Sequence, residues 1–267
     1  MTPRPDLSLV VPVFNERENL APLVEEIDAV ARRRGWSFEL LLVNDGSDDG
    51  SALAIDALAR RHAEVRGLHL DRNHGQSAAF AAGFELARGR RIVTLDADGQ
   101  NDPCDIPALI DLLGEYDLAI GYRIERADGR LRRISSWIAN RVRNVLTGDA
   151  VHDIGCSLKA FRAEAVKDLL GYAGMHRFLP TLARMHGLSC VQHPVRHRRR
   201  KYGRSKYGVL NRIGVASVDL LAVRWMTRRK LRYEVVRDTW DEPTSWTPSS
   251  RSSRYAKSRV RRGAPRL

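Results

Sequence analysis

Apolar residues follow two rhythms along the first half of the chain. Leu7-Ser-Leu-Val-Val-Pro-Val-Phe14 is an almost unbroken apolar run stopped by Asn15-Glu16, which predicts a strand buried on both faces. Leu20, Leu23, Val24, Ile27 and Val30 then recur every three or four residues, the spacing of one helix face. The alternation repeats. Phe38–Val43 reads as a second strand and runs into the turn residues Asn44-Asp-Gly-Ser-Asp-Asp-Gly50, after which Leu53, Ile55, Leu58 and Ala59 return to helical spacing. Val65–Leu70, Arg91–Leu95 and Tyr116–Gly121 read as further strands, with an alanine-rich helix over Gly75–Ala87. Strands alternating with helices from residue 7 to about 121 predict an α/β fold, a mostly parallel sheet with helices on both faces.

Past residue 208 the pattern changes. Leu210, Ile213, Val218, Leu221, Ala222, Trp225 and Met226 keep helical spacing, but Arg212, Asp219 and Arg224 interrupt them. Such a helix lies on a surface and does not cross a bilayer, and the flank Thr227-Arg-Arg-Lys-Leu-Arg232 suits anionic lipid; packing on the main domain is the equal alternative. The segment after Asp238, rich in Ser, Arg and Pro, has little to bury. The expected organisation is an α/β domain over 1–208, an amphipathic helix over 209–232 and a basic, disordered tail over 233–267.

Composition narrows the partners. With 267 residues, 43% of them hydrophobic, the chain can bury one substantial core, and 45 Lys plus Arg against 32 Asp plus Glu give a net charge of +13. That excess favours an anionic partner. Cys104, Cys156 and Cys190 have neither disulfide-like pairing nor metal-ligand spacing, so a reducing cytoplasm is the expected compartment. Met1-Thr-Pro-Arg-Pro lacks the apolar core of a signal peptide, and no run approaches the roughly 20 apolar residues that span a bilayer.

The chemistry gathers at strand ends. Thr94-Leu-Asp96-Ala-Asp98-Gly-Gln100 follows a strand, and two carboxylates two residues apart leave an extended chain on the same face. Side by side they repel unless a cation lies between them, and Mg²⁺ or Mn²⁺ takes such oxygen ligands together with substrate phosphates. Asp and Gly are also ordinary turn residues. A calcium helix-loop-helix is excluded because Gly99 falls fourth in the loop where that motif needs it sixth. Asn15-Glu16 and Asn44-Asp45 end two other strands, where ligands bind in open α/β sheets, and their convergence with Asp96 and Asp98 points to a metal-nucleotide site. No Walker-type phosphate loop is present in the sequence.

With those residues in view, the chain resembles the family-2 glycosyltransferases of the GT-A, Rossmann-like fold, and more narrowly their dolichol-phosphate mannosyltransferase-like, polyprenyl-phosphate group. The resemblance rests on Val11-Pro-Val-Phe-Asn-Glu16, Val43-Asn-Asp-Gly-Ser47, Asn73-His-Gly75, Asp96-Ala-Asp-Gly-Gln100, Gly121-Tyr-Arg123, Asp153-Ile-Gly-Cys-Ser-Leu-Lys-Ala-Phe-Arg162 and Arg200-Lys-Tyr-Gly-Arg-Ser-Lys-Tyr207. It implies that Pro12, Phe14, Glu16, Val43 and Asp45 hold base and ribose, that Asp96, Ala97 and Asp98 approach ribose and diphosphate, and that Asp98, with Asp96 and Gln100, holds the metal. Phe14 stands where the family commonly has Tyr, and Asn44 where it commonly has Asp, which leaves the base open. Arg123, Arg200 and Lys206 match positions that contact donor or acceptor phosphate. The run Arg196–Lys201 is either a solvated or nucleic-acid-binding basic stretch, as charge runs usually are, or a mobile phosphate-gripping loop, which its spacing to Gly203 and Ser205-Lys206 favours.

The activity so implied is metal-dependent, inverting transfer of a hexosyl group from a nucleoside-diphosphate sugar (GDP-mannose or a UDP-sugar) to a polyprenyl phosphate such as dolichol or undecaprenyl phosphate. A phosphomonoester with a second pKa near ~6 is largely ionised at neutral pH, so no strong general base is needed. Asp153 is a candidate base for a hydroxyl acceptor, or it orients the Gly155-Cys156 turn. The remaining readings are a family-2 enzyme acting on a hydroxyl acceptor, a nucleotidyltransferase, and a basic nucleic-acid-binding protein, which leaves the acidic strand ends unexplained. The expected partners are donor, lipid acceptor and an anionic membrane surface on the cytoplasmic side, with no nucleic acid.

Overall fold

The computed structural model describes residues 3–124, 141, 144, 146–148, 151–153, 155–166, 169, 171–202 and 209–229. Chain order is β1 (Leu7–Val13), α1 (Arg17–Arg34), β2 (Phe38–Asn44), α2 (Ser51–Arg61), β3 (Val65–His69), α3 (Gln76–Leu86), β4 (Arg91–Thr94), α4 (Ile106–Leu112) and β5 (Leu118–Arg123). There follow β6 (Lys159–Arg162), the short α5 (Ala163–Val166), α6 (Leu179–Met185), β7 (Cys190–Val195) and α7 (Val209–Arg229). Among the described residues the strands form one seven-stranded sheet in the order β3-β2-β1-β4-β6-β5-β7.

The pairs β1–β2, β1–β4, β2–β3 and β5–β7 are parallel, while β6 runs antiparallel to both β4 and β5. The simple alternation expected from the sequence therefore ends at β5. Neither β6 nor β7 stands out as an apolar run: Lys159 interrupts the first, and Gln192, His193 and Pro194 dilute the second. Pro194 is tolerated because β7 is an edge strand. Pro12 is tolerated in a central strand because the β1–β4 pairing ends at Val10 and Thr94, before proline's missing N–H matters on that side.

Helices cover both faces, as the alternation predicts. Leu20, Leu23, Val24 and Ile27 of α1, Ile55 of α2 and Leu109 of α4 pack with Leu9, Val11, Leu40 and Leu42. On the other face Ala79 and Phe80 of α3, Leu182 of α6 and Val223 of α7 pack with Val10, Leu41, Ile92 and Phe161. Gly83 of α3 lies so close to β1 that a Cβ there would stand 2.2 Å from Val10 Cγ1. The contact brings α3 directly onto the strand that feeds the site.

The C-terminal helix is apolar on two sides. Val223 is buried and Leu220 and Met226 pack against the core, with Asp219 3.9 Å from Arg177. Val218, Leu221 and Trp225 point outward and are more than half exposed. Among the described residues no helix is long and apolar enough to cross a membrane.

Candidate active site

The sheet order places β1 between β2 and β4, so the chain moves outward to β3 and then returns to the far side of β1. The crevice at that reversal lies beyond the carboxyl ends of β1 and β4, the usual ligand position in an open α/β sheet. Asn15 adopts a left-handed conformation (φ 54°), which asparagine tolerates. Its side chain exchanges hydrogen bonds with Asp48, and its N–H donates to Ser47 Oγ, joining the first two loops. A Cβ on Gly46 would lie 2.4 Å from the Arg72 carbonyl carbon, and its φ is +69°, so only glycine lets this second loop meet the third.

Asp45 spans that meeting: its two oxygens accept from the N–H groups of His74 and Gly75 at 2.7 and 2.9 Å. Asn44 Oδ1 accepts from Ser47 N–H at 3.0 Å, and its amide nitrogen lies 3.2 Å from His69 Nδ1. His69 Nε2 is in turn 3.1 Å from Asp56. Asn44 is thus directed into its own loop and β3. Val43 and Ala97, expected beside the nucleotide, have side chains buried in the core on opposite faces of the sheet. Any contact they make with a ligand falls to their backbone, because strand side chains alternate between faces. Pro12, Phe14 and Glu16 are half-buried at the end of β1.

The Asp96–Asp98 loop is braced from inside. Asp96 N–H donates to Asn101 Oδ1 at 3.1 Å, and Ser157 Oγ donates to the same oxygen at 2.7 Å. Asp98 Oδ1 accepts from Gln100 N–H at 3.1 Å, while Gln76 Nε2 donates to Asp96 Oδ1 at 2.7 Å. Burial and the neighbouring Asp98 charge push the Asp96 carboxyl up to about 6, against the opposing pull of Ser157, Lys159 and Gln76. Lys159 is buried beneath the loop, and its ammonium donates to the Cys156 carbonyl. Burial lowers the Lys159 pKa, with nearby Asp96 and Asp153 pulling the other way. Burial pushes the Cys156 thiol up, which suits a packed residue and not a nucleophile.

The strand-end acids meet a cation from far along the chain. Arg200 NH2 lies 2.7 Å from Asp98 Oδ2 and its NH1 lies 3.1 Å from Glu16 Oε1. Gln100 turns its amide nitrogen toward His197 and the Arg198 carbonyl, at 3.4 and 3.5 Å, and so faces the basic segment. On the other side of β4, Arg123 at the end of β5 is held by Asp153, Nε to Oδ2 at 2.6 Å and NH2 to Oδ1 at 3.0 Å. Asp153 Oδ1 also accepts from Gly155 N–H at 3.0 Å. Lys206, Arg130, Arg132 and Arg133 lie outside the described residues.

This donor set fits a divalent ion. Two carboxylates stand at one loop, one of them raised in pKa by burial and then by the other's charge; the Arg200 guanidinium occupies Asp98 Oδ2 and would have to give way to an ion there. Among the described residues no three His, Cys, Asp or Glu side chains converge as a complete cage. An ion here would take its other ligands from phosphate oxygens and water, as Mg²⁺ ordinarily does.

Gln76 and Asn101 border these loops without having been singled out in the sequence, while Ser157, Lys159 and Arg198 were named there only as members of the Asp153–Arg162 motif and the Arg196–Lys201 run. Lys159 carries a signal of its own, a lone cation among Leu158, Ala160 and Phe161.

A mostly parallel sheet with acids at the β1/β4 reversal defines a GT-A-type glycosyltransferase fold. Glucosyl-3-phosphoglycerate synthase of Mycobacterium tuberculosis, in complex with Mn²⁺, uridine-diphosphate-glucose and phosphoglyceric acid, matches with TM-score 0.62 at 19% identity, over 84% of this chain and 79% of that one. A mannosyltransferase of Pyrobaculum calidifontis in complex with GDP-Man and Mn²⁺ matches with TM-score 0.61 at 19% identity, over 87% and 66%. Residues 8–170 match the model of glycosyl transferase family 2, and the chain belongs to that family. It is 43% identical over 233 residues to dodecaprenyl-phosphate galacturonate synthase of Rhizobium johnstonii, covering 85% of this chain and 69% of that protein. It is 39% identical over 228 residues to undecaprenyl-phosphate 4-deoxy-4-formamido-L-arabinose transferase of Pseudomonas aeruginosa, covering 85% and 66%. The chain spans about two thirds of the length of these relatives.

Proposed function

We propose that the chain transfers a glycosyl group from a nucleoside-diphosphate sugar to the phosphate of a polyprenyl lipid, with inversion at the anomeric carbon and with Mg²⁺ or Mn²⁺. The observation that carries this reading is the meeting of Asp98, Glu16 and Arg200 at the β1/β4 reversal, with Asp96 on the same loop as Asp98: carboxylates for a divalent ion and a guanidinium for phosphate. The relatives support it, since their names specify dodecaprenyl and undecaprenyl phosphate. So do the structural neighbours, which hold Mn²⁺ with a UDP- or GDP-linked sugar.

In this reading Asp98 and Asp96 hold the ion, which when bound stabilises the charge developing on the departing diphosphate. Pro12, Phe14 and Glu16 border the nucleoside, with Asp45 bracing the adjoining loops. Arg200 and Lys206 grip phosphate. Arg123 is held in a fixed orientation by Asp153, so Asp153 orients and does not take a proton; an ionised lipid phosphate attacks without one being removed. The involvement of Arg198 and Arg200 in ion pairs with Glu26, Asp102, Glu16 and Asp98 supports a basic segment that belongs to the site over one that grips nucleic acid. The acceptor's chemistry and the exposed face of α7 support a peripheral position on a membrane, which this reading puts on the cytoplasmic side.

The test offers UDP- and GDP-sugars with Mn²⁺ or Mg²⁺ and a short polyprenyl phosphate. Metal-dependent formation of lipid-linked sugar is expected from one donor class. No product from any donor, or full activity in EDTA, overturns the reading.

A further inference from the structure

Arg196, Arg198 and Arg200 leave the end of β7 at alternate positions, and each meets acids. Arg196 pairs with Asp105 at 3.0 Å and Asp102 at 3.4 Å. Arg198 reaches Glu26 of α1 through NH1 at 2.6 Å and Asp102 through NH2 at 2.7 Å. Arg200 takes Glu16 and Asp98. The backbone is fastened to the same loop: Arg198 N–H donates to the Gln100 carbonyl at 2.9 Å, Arg196 N–H to Asp105 Oδ2 at 2.7 Å, and Asn101 forms a bridge with His197. Asp102 is buried, and the Cys104 N–H and Arg198 overcome its desolvation to hold the carboxyl below its usual range.

The loop that seats Arg196 and Arg198 is the loop that carries Asp98. In an extended segment, residues two apart share a side, so the register fixed at Arg198 determines where the Arg200 guanidinium arrives. Arg198 itself bonds to Glu26 and Asp102, away from the Glu16–Asp98 pair. Its two-pronged span between acids on different elements suits a planar guanidinium and not a compact ammonium.

We infer that Arg198, assisted by Arg196, is a positioning residue that clamps the segment to α1 and to the Asp98 loop so that Arg200 is delivered to the donor diphosphate. This rests on the function proposed above and adds a division of labour: Arg200 exchanges carboxylates for phosphate when the donor binds, while the pairs of Arg196 and Arg198 persist.

The test measures binding of UDP and GDP in the presence of Mn²⁺ by calorimetry, for wild type, R198Q, R198K, R200Q and the double variant R198Q/R200Q, with thermal melts alongside. R198Q is expected to weaken nucleotide binding about tenfold, R198K to recover part of that, and the double variant to bind no worse than R200Q, because Arg198 acts through Arg200. E26Q, which removes only the partner on α1, is expected to shift affinity in the same direction and also to add nothing to R200Q. It keeps the test decisive if R198Q melts early. Unchanged binding in both R198Q and E26Q, or losses that add to that of R200Q, overturns the inference and leaves the proposed function standing. Wild type that binds neither nucleotide with Mn²⁺ overturns both.

Discussion

Asp153 and Arg123 form a two-pronged ion pair in which the carboxylate is buried and the guanidinium is 20% exposed. Breaking such a pair strands a charge, whereas removing both partners removes the problem. D153A is therefore expected to destabilise the fold by about 3 kcal/mol, and R123A/D153A to be more stable than D153A. Urea melts of the single and double variants check this. Additive losses would show that the two side chains do not depend on each other.

Asp98 is expected to separate folding from chemistry. Its Oδ2 is paired with Arg200, which retains Glu16 when Asp98 is gone, so D98N should melt close to wild type. Turnover should fall by roughly 10³ or more if the side chain holds the ion that stabilises the leaving group. Added Mn²⁺ should not restore it. Activity at the wild-type level across a Mn²⁺ titration would remove Asp98 from the metal.

Glu39 on β2 gives a pH dependence far from the site. Burial would raise its carboxyl, but hydrogen bonds from Ser8 Oγ, the Arg88 N–H and Arg66 outweigh it and hold the pKa below the ordinary value. The folded-state pKa is depressed, so this carboxylate contributes fully above its unfolded pKa of about 4.3 and progressively less as pH falls through the folded value. The stability gap between wild type and E39Q should be widest near neutrality and narrow below about pH 4.3. Denaturant melts across that range check it, and a gap that widens on acidification would reverse the sign.

The first half of the fold was legible because its strands are dense apolar runs cut off by polar residues. Val13 and Val43 give way to Asn15-Glu16 and Asn44-Asp45 where the strands end, and those ends mark the site. The antiparallel β6 was not legible, since four residues containing a buried lysine carry no strand rhythm, and Lys159 makes sense only once Asp96 and Asp153 are placed around it. The arginine clamp was hidden for another reason. A spacing of two has meaning only in an extended chain, and the acids that receive the arginines lie at Glu16, Glu26, Asp98, Asp102 and Asp105, remote from them in sequence. Asp45 was expected beside the nucleotide from its position at a strand end, but its carboxylate is occupied with the His74 and Gly75 N–H groups.

The outward face of α7 supplies the last prediction. Leu220, Val223 and Met226 already satisfy the core, yet Val218, Leu221 and Trp225, at spacings of three and four, are left 67%, 61% and 64% exposed. A helix apolar on both sides is not finished by packing one of them. Arg228 and Arg229 end the helix, and an anionic bilayer would answer both the stripe and the charge: each Arg near such a surface would contribute about 1 kcal/mol, and apolar side chains would add to it by burial. Wild type should float with vesicles rich in phosphatidylglycerol and bind less to neutral ones. L221S/W225S should lose roughly tenfold or more in bound fraction, with its melt unchanged because neither residue faces the core. Wild type that stays in the aqueous fraction with anionic vesicles would show that this stripe does not meet a membrane surface.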